Sequence, residues 1–114
     1  MEPLGAAVTR RVVRASLLLK RSDEGGRAMP MISGYRSLAR LHDGRDYGFE
    51  LDLDFGSLSP GERGPGQLSF WEVAELPELT EGQEFEVREG QKVVGWGTLL
   101  GPQGKDPVAA TDSE

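Results

Sequence analysis

Residues 48–55 read Gly-Phe-Glu-Leu-Asp-Leu-Asp-Phe, an alternation of apolar and acidic residues that decides the fold class. In an extended chain, successive side chains point to opposite faces. The positions predicted to face inward are Phe49, Leu51, Leu53 and Phe55. The positions predicted to face water are Glu50, Asp52 and Asp54. One dry face and one wet face are typical of a strand in an antiparallel sheet.

The same period of two recurs in five further segments, so the chain is predicted to form six strands. These segments are 11–19, 36–41, 67–73, 84–89 and 92–100. Residues 59–62 predict a turn with proline at its second position, and residues 89–92 predict a hairpin loop. Gly95 and Gly97 indicate a bulge or a close backbone approach in the last strand. Six short strands without an amphipathic helix indicate a closed barrel or a sandwich.

The chain length of 114 residues is typical of one domain. We expect residues 1–9 to be a flexible lead-in, residues 10–100 to form the β-barrel domain, and residues 101–114 to be a disordered polar tail. There is no cysteine, which excludes disulfides and thiolate metal sites, and His42 is the single histidine. No cofactor is predicted. The chain has no apolar run of the roughly 20 residues that a membrane span needs, and no signal peptide is recognisable, so a cytoplasmic location is expected.

The net charge of −6 is unevenly distributed along the chain. Residues 1–45 hold nine Arg or Lys against four acids, and residues 46–114 hold four against fifteen. The two segments therefore carry +5 and −11. If the fold separated them, the molecule would be strongly dipolar; the alternative is two ordinary solvated faces.

Candidate chemical groups are few. No phosphate-binding loop with a Lys-Ser/Thr ending is present, and the glycine-rich residues 61–66 predict only a loop. The acids of residues 50–54 could bind a hard cation, but a solvated strand face is the favoured interpretation. Ser37 and His42 lie near each other in sequence without the turn or the oxyanion donors of a catalytic triad, so an enzyme is not predicted.

Large side chains allow two interpretations. Trp71, Trp96 and Tyr35 could stack on bases, but a core position is favoured for Trp71 or Trp96. Met29 and Met31 are predicted to be packing residues that hold the loop of residues 20–36 in place. That loop is too polar and too interrupted by glycine to predict a strand or a helix.

The loop resembles a known family. Residues 23–27 read Asp-Glu-Gly-Gly-Arg, Pro30 follows, and residues 34–36 read Gly-Tyr-Arg. Further landmarks follow in order, namely Ser-Pro-Gly-Glu at 59–62, Phe-Glu-Val-Arg-Glu-Gly at 85–90 and Val-Val-Gly-Trp-Gly at 93–97. This series resembles the third domain of elongation factor Tu, the translational GTPase, over about residues 10–100.

The resemblance implies a six-stranded antiparallel Greek-key barrel without the family's GTPase domain or second barrel. In the family this domain touches the T-stem of aminoacyl-tRNA, packs on the GTPase domain and contacts the nucleotide-exchange factor. The tRNA-contacting glutamate of the hairpin is matched by Glu89. Two other polar contact positions fall on Leu38 and near Tyr47, and Ser37 replaces a proline, so the chain departs from the family pattern there.

Two functions are therefore expected ahead of an enzyme with a novel site. The first is a non-enzymatic protein-binding module, whose partner is a translation factor, a GTPase or a toxin that recognises the elongation factor. Its predicted contact residues are Asp23, Glu24, Gly25, Gly26, Arg27, Tyr35, Arg36, Arg88, Glu89 and Gly90. The alternative is a tRNA or RNA-binding domain, opposed by the net charge. Its predicted contact residues are Arg10, Arg11, Arg14, Arg36, Arg40, Arg45 and Glu89. Asp23 and Arg27 also have a purely structural interpretation, in which they tie the loop to the rim of the barrel.

Overall fold

The fold is all-β, as predicted from the alternation. The computed structural model describes residues 10–71 and 76–100. The predicted lead-in at 1–9 and the tail at 101–114 lie outside the described residues. The strands are β1 (Arg11–Leu19), β2 (Met31–Ile32), β3 (Arg36–Arg40), β4 (Asp46–Leu53), β5 (Ser57–Leu58), β6 (Arg63–Phe70), β7 (Glu84–Glu89) and β8 (Lys92–Leu99). All six predicted strands form. β6 begins four residues earlier than predicted, and the end predicted for it lies partly outside the described residues.

Six strands close into an antiparallel barrel in the order β1-β6-β4-β3-β7-β8, and β8 pairs back to β1. The barrel strands β3, β4 and β6 follow one another along the chain and are neighbours. The chain then crosses the barrel and places β7 beside β3. Three consecutive strands with the fourth returned beside the first form a Greek key. The predicted Greek-key barrel is confirmed, and its closure leaves no unpaired edge strand among these six.

The core lies inside the barrel and is built from the predicted inward positions. Phe49 and Phe70 pack edge to face, with ring centroids 6.2 Å apart and an interplanar angle of 61°. Such an offset geometry suits the ring quadrupoles. Buried with them are Leu51, Leu53, Leu68, Phe85 and Val87. The period-two prediction therefore identified the core side of β4, β6 and β7 correctly.

Phe55 is a correction to that prediction, because 82% of it is exposed. Phe55 is exposed because it lies beyond the end of the strand. β4 stops at Leu53, and the Gly56 N–H donates to the Leu53 carbonyl at 3.0 Å. Gly56 has φ +84°, which closes the turn. The alternation that points residues 49, 51 and 53 inward therefore does not extend to residue 55.

The loop of residues 20–36 is more ordered than predicted. It contains a 3₁₀ turn at Ser22–Glu24 and the short strand β2, which pairs with β5 as a separate two-stranded ladder. Met31 is 1% exposed and joins the core, which confirms its predicted packing role. Met29 is 66% exposed, so the same prediction is wrong for that residue.

The tryptophans are a second correction, because neither lies in the buried core. Trp96 is 39% exposed on the outer face of β8. Trp71 is half-buried just after β6 and lies over Gly48, where an added Cβ would come within 3.2 Å of the indole ring. The Trp71 ring therefore packs on the outside of the barrel against Gly48 of the adjacent strand, where a larger residue would crowd it.

The predicted close approach at Gly95 and Gly97 is confirmed. A Cβ on Gly95 would lie 2.8 Å from the Leu18 carbonyl oxygen, and one on Gly97 would lie 2.1 Å from Phe85 Cζ. The predicted bulge is also present in β8, because Val87 pairs with Gly95 and Arg88 with Val93, which leaves Val94 as the extra residue beside Gly95. In the part of the chain described here, no helix is long and apolar enough to cross a membrane.

Candidate functional site

Arg27 joins the long loop to the closing hairpin, two of the regions predicted to form the contact surface. Its guanidinium forms an ion pair with Glu89, and it also donates to the carbonyls of Met29 at 3.2 Å and Pro30 at 3.3 Å. The ring of Tyr35 lies 5.0 Å below the guanidinium carbon. The geometry therefore supports the structural interpretation, in which Arg27 ties the loop to the barrel. The guanidinium N–H groups already bind Glu89 and two backbone carbonyls of the same chain.

Tyr35 and Glu89 complete this cluster. The Tyr35 hydroxyl donates to Glu89 Oε2 at 2.5 Å. Burial, together with this hydrogen bond, raises the pKa of Tyr35 to about 12. Burial also opposes ionisation of Glu89, but the hydrogen bonds from Tyr35 and Arg27 outweigh it and lower the pKa of that carboxyl. Glu89 is therefore ionised at neutral pH and serves as an internal anchor for the loop.

The tip of the loop, residues 22–26, is shaped by its two glycines. Gly25 has φ +94° and caps the 3₁₀ turn. A Cβ on Gly26 would lie 2.3 Å from the Lys20 carbonyl oxygen. Asp23 is exposed and pairs with Arg21 at 2.9 Å, so it does not tie the loop to the barrel. The loop conformation therefore explains why glycine occupies positions 25 and 26. A substitution at Gly26 would change the conformation of the loop itself.

Three large apolar side chains are exposed at the β2–β5 ladder, namely Met29 before β2, Ile32 in β2, and Phe55 in the turn before β5. Their exposed fractions are 66% for Met29, 64% for Ile32 and 82% for Phe55. Ile32 pairs with Ser57, and the Ser33 N–H donates to the Gly56 carbonyl at 3.1 Å, so the segments that carry these residues are adjacent. We call Met29, Ile32 and Phe55 the loop–ladder patch. The sequence prediction missed Ile32 and Phe55, because period two places Phe55 in the core.

The remaining predicted contact residues lie elsewhere on the barrel. Arg36 is in β3 and pairs with Glu50 at 3.6 Å. Arg88 pairs with Glu86 on its own strand at 2.8 Å. Glu24 is exposed in the 3₁₀ turn, and Gly90 is in the hairpin turn with φ +65°. Of the ten predicted residues, the structure brings Arg27, Tyr35 and Glu89 into direct contact.

The arginines predicted for RNA binding are mostly paired with carboxylates. Arg14 donates two hydrogen bonds to Asp54, at 2.9 and 2.6 Å, and Arg40 holds Asp46 in the same forked way. These hydrogen bonds lower the pKa of Asp54 and of Asp46. Arg45 is exposed in the β3–β4 turn. The basic and acidic segments of the chain are therefore interleaved on the barrel rather than separated on two faces.

Two of the predicted RNA-binding arginines gather around Trp71. The guanidinium carbons of Arg10 and Arg36 each lie 5.3 Å from the indole centroid. Both arginines also pair with Glu50, at 3.4 and 3.6 Å. The remaining member of the predicted set, Arg11, is half-buried in β1. Both guanidinium groups therefore lie at cation–π distance from the same ring, and the shared carboxylate of Glu50 offsets part of their charge.

The other candidate chemical groups are engaged in structural bonds. Ser37 Oγ donates to the Arg88 carbonyl, and His42 Nε2 lies 3.3 Å from the Glu78 carbonyl. Ser37 and His42 are thus directed at different parts of the barrel. Glu50 and Asp54 pair with arginines, and within residues 10–71 and 76–100 no cluster of three or more ligating side chains is positioned to hold a metal ion.

A comparison of the chain with known protein families found no family that matches it.

Proposed function

We propose that this chain is a non-enzymatic protein-binding module whose principal contact surface is the loop–ladder patch. The observation that carries the proposal is the exposure of Met29, Ile32 and Phe55 on segments that lie side by side. Exposed apolar side chains grouped on an ordered surface are typical of protein-interaction sites. The Arg27–Glu89 ion pair braces this loop before any partner binds, which reduces the entropy cost of binding.

The partner is a translation factor, a GTPase or a toxin that recognises an elongation factor. This part of the proposal rests on the resemblance of residues 23–36 and 85–97 to the third domain of elongation factor Tu. In that family the domain packs on a GTPase domain. With such a partner, the barrel would act as an interaction scaffold or as a decoy and immunity factor.

Pull-down from cytoplasmic lysate with quantitative mass spectrometry tests the proposal. The wild-type barrel should enrich a member of one of these three classes, and Phe55→Asp should abolish that enrichment because it places a charge in the apolar contact. Leu100→Asp is the matched control, since Leu100 is also an exposed large apolar residue, 45% exposed, outside the patch. Equal enrichment with wild type and Phe55→Asp would refute the patch as the contact surface.

RNA binding is the second candidate function, and the arrangement of Arg10, Trp71 and Arg36 is the observation that favours it. A base could stack on the face of the indole ring while a phosphate meets the guanidinium groups. Against this, Glu50 shares both cations and the chain carries a net charge of −6. Filter binding with tRNA at low salt tests it. A complex at tens of micromolar that Trp71→Ala abolishes would support RNA binding, and no complex would exclude it.

A further inference from the structure

A second surface, which shares no residue with the loop–ladder patch, crosses four barrel strands. Outward side chains form a row across them, because Arg63 pairs in register with Leu18, Leu18 with Trp96, and Trp96 with Glu86. Glu84 lies two residues from Glu86 on the same face of β7. We call Arg63, Leu18, Trp96, Glu84 and Glu86 the Trp96 face. A groove of about 490 Å³ runs along it.

The Trp96 face carries an exposed aromatic ring and charged side chains without an ion-pair partner in the part of the chain that the structure describes. Trp96 is 39% exposed. Among the described residues, neither Arg63 nor Glu84 has an ion-pair partner, whereas Glu86 is paired with Arg88. Tryptophan and arginine are the residues most enriched at binding hot spots. The exposed indole therefore belongs to a surface that also carries an unpaired cation, Arg63, and an unpaired acid, Glu84, which are groups that a partner could engage.

The order of side chains along the row makes this face complementary to itself. Read from β6 to β7, the row is basic, apolar, apolar and acidic, and its midpoint lies between β1 and β8. A two-fold axis that runs along the strands at this midpoint reverses the row. Arg63 of one copy then lies over the acidic side of the other copy, and Leu18 lies over the second Trp96. Two-fold contacts in which one patch meets itself are the commonest form of oligomer.

We propose that the Trp96 face is a homodimer interface, occupied by a second copy of this chain. The two sheets pack face to face, and each dimer contains two contacts between Arg63 and the acidic pair Glu84 and Glu86. The four strands of the row span about 14 Å, so the contact is small and the dimer is a weak one that forms at high protein concentration. The interface is independent of the loop–ladder patch.

Sedimentation equilibrium from about ten to several hundred micromolar tests the dimer, since a weak contact needs this range. The wild type should be a dimer at the upper end. Trp96→Ala and Arg63→Glu should each weaken dimerisation at least about tenfold. Arg63→Glu does so because the new glutamate of one copy meets Glu84 and Glu86 of the other. Lys92→Glu is the control, because it makes the same charge change at an exposed position outside the face. Circular dichroism verifies that each variant is folded.

A mixing experiment tests the predicted register. Arg63→Glu and Glu84→Arg should each be monomeric alone, because like charges then meet twice across the two-fold axis. Mixed in equal amounts they should form a dimer, since opposite charges meet again at both contacts. A wild type that stays monomeric, or a dimer that Trp96→Ala and Arg63→Glu leave unchanged, would overturn the proposal. A dimer weakened by Trp96→Ala alone would overturn the charge pairing. Phe55→Asp should leave the dimer intact, so the two surfaces are tested separately.

Discussion

At the scale of single residues, the space available for a side chain, rather than its polarity, determines which residue fits at several positions. Gly97 lies against the Phe85 ring, and Gly48 lies under Trp71. Each glycine allows an aromatic ring to approach the backbone of a neighbouring strand more closely than any other residue would. Arg27 is likewise explained by its local contacts, because its guanidinium pairs with Glu89 and donates to two backbone carbonyl oxygens. A glycine or an arginine that looks functional in the sequence therefore has a local structural reason here.

Gly97→Ala is expected to destabilise the barrel by about 2 kcal/mol, because the added methyl overlaps the Phe85 ring in a packed core. Chemical denaturation at neutral pH measures this change in the free energy of unfolding. Adding Phe85→Leu to Gly97→Ala should make the pair less destabilising than the sum of the two single changes, since the smaller side chain vacates the overlapping volume. Strict additivity of the two changes would contradict the overlap.

At the scale of elements, the loop and the closing hairpin form one unit. Arg27 and Glu89 are 62 residues apart in the chain, and Tyr35 bonds the same carboxylate from the start of β3. The same loop contains β2 and two residues of the loop–ladder patch, Met29 and Ile32. A carboxylate from a distant hairpin thus contacts the segment that carries them.

Glu89→Gln is expected to loosen the loop while the barrel stays folded. The loss of a charged, partly buried hydrogen-bonding partner should cost roughly 1–2 kcal/mol in the free energy of unfolding. Hydrogen exchange should accelerate in residues 27–33 more than in β4. Tyr35→Phe is the milder comparison, because it removes one donor and keeps the ring beneath Arg27. Unchanged exchange in the loop of Glu89→Gln would show that the ion pair does not hold it.

At the scale of the whole molecule, opposite charges from the two halves of the chain meet across strands. Arg14 pairs with Asp54 and Arg40 with Asp46, and these partners come from the basic and acidic segments respectively. The barrel topology causes this mixing, since β1 and β3 lie next to strands from the acidic half. The described strands therefore do not separate the basic and acidic segments onto two faces, which was the condition for a strong dipole, and the ion pairs make stability depend on pH.

Thermal stability is expected to be constant near neutral pH and to fall below about pH 4, where carboxyl groups become protonated. The groups whose pKa is lowered in the fold are Asp23, Asp43, Asp46, Asp54 and Glu89. A lowered pKa stabilises the fold above the pKa of the unfolded chain, and this contribution is lost as the pH falls through the folded pKa. Circular dichroism melts from pH 7 to pH 2 measure it. Asp54→Asn should reduce the acid-dependent loss, and equal melting temperatures at pH 7 and pH 3 would contradict the prediction.

The sequence by itself determined the six barrel strands, the turn at 59–62, the hairpin loop and the inward residues of β4, β6 and β7. It could do so because the direction of a side chain in a strand depends only on local backbone geometry. The same rule failed at Phe55, where a tight turn replaced the strand. The core position favoured for Trp71 or Trp96 rested on the size of an aromatic side chain, which does not distinguish the inside of a barrel from its outer face.

The tertiary structure alone decided which distant groups meet. The anchor of Arg27 on Glu89 joins residues 62 positions apart, and the row of Arg63, Leu18 and Trp96 comes from three strands that are not consecutive in the chain. Strand order and register bring such residues together, and neither follows from the local pattern of any one segment. The loop that carries the family resemblance is thus readable from the sequence, whereas the exposed patch and the self-complementary face arise only when the barrel closes.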